Sequence, residues 1–175
     1  MPLAPRVGTS YELDFKIPPD PAATRFFDAG GLRFGVERRA LNAAVLQQAY
    51  GHDPEWLART RPEFQQGLEL QAPSIHVFDA DSAEEYLRID AFDEEPHYHY
   101  IYPGSHHTIV WWDQCALGPF PEQVPVLLHH RLRSMLAVVV EADRLARIDW
   151  DAVAAVVPEV VAEFDRFEAQ VTASS

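Results

Sequence analysis

The chain has 175 residues, of which 47% are hydrophobic and 23% charged, a composition typical of a folded globular protein. Its formal net charge of −13 and its pI of about 4.9 argue against nucleic acid and anionic membrane surfaces as partners, because like charges repel. The single cysteine, Cys115, excludes an intrachain disulfide framework, and no apolar run reaches the roughly 20 residues that span a bilayer. These properties predict a soluble, cytoplasmic protein.

Changes in residue pattern divide the chain into five successive segments. They are a proline-rich segment at 1–30, a strand with short helices at 31–66, an antiparallel meander at 67–113, a helical layer at 125–171 and a frayed tail at 172–175. The chain has no internal repeat, and its length fits one domain, so the segments predict a single domain over residues 1–175.

The N-terminal part is predicted to contribute two strands and two short helices. The stretches "YELDFKI" (11–17) and "GGLRFGVER" (30–38) have the residue pattern of strands. Asn42 precedes an apolar run that ends at Gly51, which is the pattern of a short capped helix. Asp53, followed directly by a proline, predicts the start of another helix.

The middle of the chain is predicted to form four strands, near 75–79, 85–92, 97–102 and 106–112. Apolar and polar residues alternate there with the period of two that places them on opposite faces of a sheet. The intervening turns are only a few residues long. Neighbouring strands therefore pair as hairpins and not through parallel crossovers.

The last third has helical periodicity. Apolar residues three and four apart predict helices near 126–147 and 151–170. Pro158 lies inside the second pattern and predicts a kink or a break there. The whole pattern predicts an α+β fold, in which an antiparallel meander sheet of four to six strands is covered on one face by the C-terminal helices.

The stretch "EPHYHYIYPGSHH" (95–107) holds four of the eight histidines and is the main candidate for chemistry. Residues two apart in a strand share a face, so His97 and His99 point one way and the tyrosines between them point the other. The turn that follows brings His106 or His107 back beside the first pair.

Such a group of histidines fits a metal site with an open coordination position. The predicted metal ligands are His97, His99 and His107, and Asp90 on the preceding strand adds a carboxylate if the register allows it. Three histidines suit zinc, and two histidines with a carboxylate are common for non-haem iron, so the expected cofactor is iron or zinc. Two alternatives stay open: histidines acting as acid or base without metal, and histidines on a solvated sheet face.

The candidate catalytic residues are Arg88, Asp90, His97 and His99. Arg88 and Asp90 are two apart in one predicted strand, and the two histidines are two apart in the next. If these strands pair across the short turn between them, all four side chains collect on one face. Four buried polar groups are costly unless they pair with one another or with a ligand.

The opposite face of the same strand carries Leu87, Ile89 and Ala91, which are core-like residues. The C-terminal helices are therefore expected to cover that face. The histidine face is then either open or covered by N-terminal segments. Strict alternation assigns Tyr86 and Phe92 to the histidine face.

The stretch "EYLRIDAFDEEPHYHY" (85–100) resembles an uncharacterised bacterial domain family whose members carry a similar Glu-Tyr-Leu-Arg, Asp, Phe and Pro-His-Tyr-His-Tyr pattern. A weaker similarity extends along the helix from Pro125 to Ile148. The resemblance implies a shared fold and brings no known reaction or cofactor. It makes the four candidate catalytic residues the matching positions.

Three functions agree with these patterns. The favoured one is a small cytoplasmic enzyme that uses the histidine face on a small molecule, with or without a metal. The second is a non-catalytic accessory protein that docks on a protein partner through an aromatic sheet surface, since tyrosine and tryptophan are enriched at interfaces. The third is a small-molecule binding domain. A homodimer is also expected, because a second copy is the commonest cover for an exposed sheet edge.

Overall fold

The computed structural model describes residues 8–14, 16–51, 53, 55, 67, 69–93 and 95–173. Among them, seven strands form one antiparallel sheet with the order β1-β7-β6-β5-β4-β3-β2. The strands are β1 (Ser10–Leu13), β2 (Thr24–Ala29), β3 (Leu32–Leu41), β4 (Leu70–Asp79), β5 (Glu85–Asp90), β6 (His97–Ile101) and β7 (His107–Trp111).

The helices of the described residues follow mainly after the sheet. A short 3₁₀ turn lies at Pro21–Ala23, and α1 (Ala43–Tyr50) connects to the strands. The later helices are α2 (Gln114–Leu117), α3 (Phe120–Val126), a π-helical segment (Leu127–Arg131), α4 (Leu132–Leu136), α5 (Ala142–Ala146) and α6 (Trp150–Thr172). The predicted α+β class is thereby confirmed, with more strands than expected.

The four predicted middle strands correspond to β4, β5, β6 and β7, and no described residue between 85 and 112 is helical. Two features were missed. The stretch 24–29 is a strand, although the prediction gave that region only a proline-rich character. The strand β4 begins five residues earlier than predicted and includes Pro73, a residue that normally argues against an inner strand.

The predicted single helix over 126–147 is wrong. The helical chain begins at Phe120, passes through the π-helical segment and ends at Leu136, and α5 is a separate element. The turn between α4 and α5 contains three consecutive valines, Val138 to Val140, and β-branched residues are poor helix formers. The apolar residues keep their helical spacing across residues 137–141, although the backbone there is not helical.

The predicted break at Pro158 does not occur, because α6 runs without interruption from Trp150 to Thr172. A proline removes one hydrogen bond to the carbonyl four residues earlier, here that of Ala154. Pro158 and Ala154 are both exposed, so water can solvate that carbonyl. The predicted helix starting at Asp53 lies outside the described residues for most of its length, and so does the end of the C-terminal tail.

The sheet separates two unlike layers. The helix side is a continuous apolar core in which Leu87 and Ile89 pack with residues of the helical layer, as predicted; other members include Phe34, Val36, Ile75, Val77, Phe120, Leu128, Leu136, Val157 and Phe164. The other side carries the histidines, and N-terminal segments cover it. There α1 brings Leu46 and Tyr50 against Ile17, Leu41 and Leu70.

A β-bulge between β4 and β5 changes which side chains face the histidine layer. The register shifts so that Phe78 pairs with Glu85 while Val77 pairs with Leu87. Tyr86 therefore joins the helix-side core, which corrects its predicted assignment to the histidine face. Glu85 takes the opposite direction and contacts Arg88 on the histidine side.

Candidate functional site

The candidate site lies on β5 and β6, whose register places four polar residues in one patch. Arg88 pairs directly with His99, and Asp90 pairs directly with His97. All four side chains are buried. Direct antiparallel partners point to the same side of a sheet, so the pairing alone brings these residues together.

Asp90 lies at the centre of the patch. Its Oδ2 is 2.9 Å from Nε2 of His99 and 3.4 Å from Nε2 of His97. Its Oδ1 accepts a hydrogen bond of 2.5 Å from the hydroxyl of Ser74 and lies 3.9 Å from Nε of Arg39. Oδ2 therefore faces both histidines, while side chains of β3 and β4 contact Oδ1.

Each histidine is oriented through its second ring nitrogen. Nδ1 of His97 donates to the backbone carbonyl of Glu95 at 2.6 Å, which leaves Nε2 facing Asp90. Nδ1 of His99 lies 2.9 Å from Nδ1 of His107, and the two rings stack with their centroids 5.0 Å apart. One of these two Nδ1 atoms must donate, so the tautomers of His99 and His107 depend on each other.

Burial and hydrogen bonding set the charges of the central pair. Burial raises the pKa of Asp90, but hydrogen bonds from His97 and His99 and the charge of Arg39 lower it more, so the pKa lies well below its ordinary value. Burial lowers the pKa of His99 to about 3, although Asp90 favours the charged ring. An ionised carboxylate and a neutral imidazole are the forms in which these groups bind metals.

One ligand atom from each of Asp90, His97 and His99 can be chosen so that all three lie within 4.8 Å of one another. Two atoms bound to one ion at about 2.1 Å are about 3.0 Å apart at a right angle and about 3.4 Å apart at a tetrahedral angle. The separations of 2.9 Å and 3.4 Å from Asp90 match these values. The two separations from Asp90 thus suit a mononuclear metal site, and the shorter one is also the length of a hydrogen bond between Asp90 and His99.

His107, the third predicted metal ligand, does not belong to this group of three. It is buried on the same side of the sheet, but it meets His99 through Nδ1, whereas Asp90 meets His99 through Nε2. The register explains this position, since His107 pairs with Ile101, two residues beyond His99. His106 is half-buried in the turn before β7 and lies outside the patch.

A second polar group adjoins the patch on β3, β4 and β5. Arg88 donates to both oxygens of Glu85, at 2.9 Å and 2.8 Å. The two ring nitrogens of His76 lie 2.7 Å from Glu85 and 2.9 Å from Glu37, and Glu37 also pairs with Arg39 at 2.7 Å. Arg39 then approaches Asp90, so one network of buried charges extends across the inner strands of the sheet.

The patch opens into a cavity of about 100 Å³ between the sheet and its N-terminal cover. Arg88, Asp90, His97, His99 and His107 all line it. The remaining wall is mostly apolar or aromatic and includes Tyr11, Leu13, Ile17, Leu46, Tyr50, Phe92, Ile109 and Trp111. Polar groups that converge in a mostly apolar cavity are the usual form of a small-molecule site.

A comparison with protein families matches residues 26–164 to a family described as Domain of unknown function (DUF7700). The match covers most of the chain. This chain belongs to that family. The expected membership of an uncharacterised domain family is confirmed. No curated protein and no solved structure gave a match.

All residues of the central patch lie within the matched DUF7700 region, whereas part of the cavity wall precedes it. Tyr11, Leu13 and Ile17 come from before residue 26, and they line the cavity. Among the described residues, none of the helices of this DUF7700 chain is both long and apolar enough to cross a membrane.

Sequence reasoning missed the residues that surround the patch. Arg39 and Ser74 contact Asp90 from β3 and β4. Glu37 and His76 adjoin the patch through Arg39 and Glu85, and Glu37 is 39 positions away from His76 in the chain. Alternation along β4 was a usable signal, because it places Ser74 and His76 on the same face as each other. The position of Glu85 on the histidine side gave no such signal, since it depends on the β-bulge between β4 and β5.

Proposed function

We propose that this DUF7700 chain is a small cytoplasmic enzyme with one divalent metal ion, iron or zinc, bound by Asp90, His97 and His99. The observation that carries the proposal is the convergence of three ligand atoms within 4.8 Å of one another on buried side chains that line a cavity. Three protein ligands leave coordination positions for water or a substrate. An ion held in this way acts as a Lewis acid and can activate a bound water molecule.

The surroundings of the three ligands support the proposal. The backbone bond from Nδ1 of His97 is the contact that commonly orients a metal-binding histidine, since it keeps Nε2 available. His99 has the same arrangement when its Nδ1 donates to His107. Metal binding would replace the hydrogen bonds from the two rings to Asp90: Nε2 of each ring would then present a lone pair, and the cation would offset the repulsion among the three ligand atoms.

The accessory-protein alternative has less support. Tyr98 and Tyr100 pack against the helix-side core, and Trp111 is buried against Tyr11. These rings are thus engaged within the chain and do not offer an open aromatic sheet surface. The third alternative, a small-molecule binding domain, would use the same cavity as an enzyme. Only a measurement of turnover distinguishes these two functions.

Metal content tests the proposal. Protein prepared without an affinity tag is expected to carry close to one iron or zinc ion per chain, measured by elemental analysis. Both His97→Ala and His99→Ala should lose the ion, and the double variant should lose little more, because the ligands act as a unit. His129→Ala is the matched control, since His129 is an exposed histidine on the helical side.

Wild-type protein that lacks metal and also fails to take up added iron(II) or zinc would contradict the metal centre. A pH profile would then become the relevant measurement. Catalysis by a histidine acid or base other than His99, whose pKa burial lowers to about 3, would show a group titrating between about pH 5 and 8.

A further inference from the structure

We infer that the molecule bound at this centre is a small carboxylate, whose anionic head is held between Arg88 and the metal position and whose short apolar tail fills the cavity. The inference rests on the proposed function, because the metal supplies one of the two contacts to the head. It adds the substrate class, which the three metal ligands do not define.

Arg88 supplies the first reason. Its side chain is 2% exposed, and Glu85 accepts the hydrogen bonds of its Nε and Nη2. No hydrogen bond within the described part of the chain involves its third guanidinium nitrogen, Nη1, and the residue lines the cavity. A buried cationic donor with spare capacity at a cavity wall favours an anionic acceptor there.

The position of Arg88 relative to the metal ligands supplies the second reason. It stands two residues from Asp90 on β5 and directly opposite His99 on β6. Side chains two apart on a strand are about 7 Å apart at Cβ, and direct cross-strand partners are about 5 Å apart. A carboxylate is small enough to contact the guanidinium with one oxygen and the metal position with the other.

The charge of the buried network supplies the third reason. Three carboxylates and two guanidinium groups are nine-tenths or more buried; they are Glu37, Glu85, Asp90, Arg39 and Arg88. These five groups sum to one negative charge, so a divalent ion leaves an excess of one positive charge, which one carboxylate offsets.

The shape of the cavity limits what else the molecule contains. A volume of about 100 Å³ is small, and aliphatic and aromatic side chains form most of the wall around the patch. A short hydrocarbon tail suits such a wall, because burying apolar surface there needs no hydrogen-bond partner. A monocarboxylate with a few carbons therefore fits better than a phosphate or a larger polar metabolite.

Cobalt(II) binding gives a test that does not require a known reaction. The apparent cobalt affinity and the visible spectrum of the bound ion are measured with propanoate, with the neutral analogue propanamide and with inorganic phosphate. Propanoate is expected to tighten cobalt binding at least tenfold and to change the spectrum, because anion and metal binding must be coupled reciprocally. Propanamide and phosphate should do neither.

Arg88→Gln should abolish the propanoate effect while cobalt still binds, and Arg38→Gln, which alters an exposed arginine on β3, should keep it. If Arg88→Gln does not fold, the wild-type comparison of propanoate with propanamide decides alone. Equal effects of propanoate and propanamide, or of propanoate and phosphate, would overturn the carboxylate assignment and leave the metal centre standing. Failure of the wild type to bind cobalt, zinc or iron would instead overturn the centre itself.

Discussion

The two oxygens of Asp90 have different surroundings, and this difference fixes the direction in which the carboxylate points. Oδ2 faces His97 and His99, and Oδ1 accepts from the hydroxyl of Ser74 at 2.5 Å. Groups behind a metal ligand orient it and tune its basicity, and removing one typically costs 10–100-fold in affinity. Ser74 has this position relative to Asp90, and it is fully buried.

Ser74→Ala is therefore expected to weaken zinc binding by about 10–100-fold, measured by competition with a chromophoric chelator. The free energy of unfolding should also fall, by about 1–3 kcal/mol, because Oδ1 loses a buried hydrogen bond. Ser105→Ala is the control, since Ser105 is exposed and its hydroxyl contacts His106, outside the patch. Unchanged zinc affinity in Ser74→Ala would show that Ser74 does not support the ligand.

Alternation made the four central residues predictable, and long-range pairing made their surroundings unpredictable. Arg88, Asp90, His97 and His99 follow from the period of two and one short turn. The partners Glu37, Arg39 and Ser74 come from strands whose pairing the sequence does not specify. The burial of Asp90 and the nearby charge of Arg39, which contribute to its charge state, were therefore not readable in advance.

At the level of elements, Asp79 joins three parts of the fold at the end of β4. Its Oδ1 accepts from the backbone N–H groups of Asp81 and Ser82, and its Oδ2 accepts from the hydroxyl of Tyr86 and from Arg144 on α5. Burial raises the pKa of Asp79, but these donors lower it far more, to well below its ordinary value. The carboxylate thus ties the β4–β5 turn to the helical layer.

Asp79→Asn is expected to lower the free energy of unfolding at pH 7 by about 1–3 kcal/mol, since a charged acceptor of four hydrogen bonds is replaced. A carboxyl whose pKa is lower in the folded state contributes stability above its unfolded pKa of about 3.9, and that contribution is lost as the pH falls towards the folded value. The gap between wild type and variant should therefore narrow below about pH 4. Urea unfolding across this pH range measures it.

Asp28→Asn provides the comparison for this measurement. Asp28 forms an ion pair with Arg33 at 2.6 Å, but both side chains are largely exposed. Exposed ion pairs contribute at most about 1 kcal/mol, so this variant should change little. An equal decrease in the free energy of unfolding in both variants would mean that the hydrogen bonds of Asp79 stabilise the fold no more than the exposed ion pair of Asp28.

The strands and helices were predictable where the spacing of apolar residues has the same period as the backbone conformation. The strands β5, β6 and β7 are separated by short turns, and their bounds lie within two residues of the predicted ones. The helical layer departs from its prediction because periodicity records which residues are buried, and Val140 in the turn after α4 is buried like Leu128 in the π-helical segment. Burial on a common face does not require one continuous helix.

For the whole molecule, the sheet ends in two edge strands, β1 and β2. Neither edge has an outer strand partner within the described ranges. Phe26 on β2 is 42% exposed, which is unusual for an aromatic side chain on an open edge. We propose that the homodimer expected from the sequence forms through this edge.

Light scattering at tens of micromolar protein is expected to give the mass of a dimer. Phe26→Lys should shift it to the monomer, because a lysine on an edge strand opposes pairing. Val138→Lys is the control, since Val138 is similarly exposed in the turn after α4, in a different part of the fold. A monomer mass for the wild type, or a dimer mass for Phe26→Lys, would contradict pairing through β2.

The buried polar residues of β5 and β6 also help to fix the register in which these two strands pair. A slip of one residue between β5 and β6 would turn His97 and His99 into the apolar helix-side core. Each unpaired buried polar group costs about 2–7 kcal/mol, and the total stability of a small domain is about 5–15 kcal/mol. A misaligned sheet therefore cannot compete with the native one. The residues of the candidate site thus disfavour misaligned pairings of β5 and β6, and replacing them with apolar residues would remove this free-energy penalty.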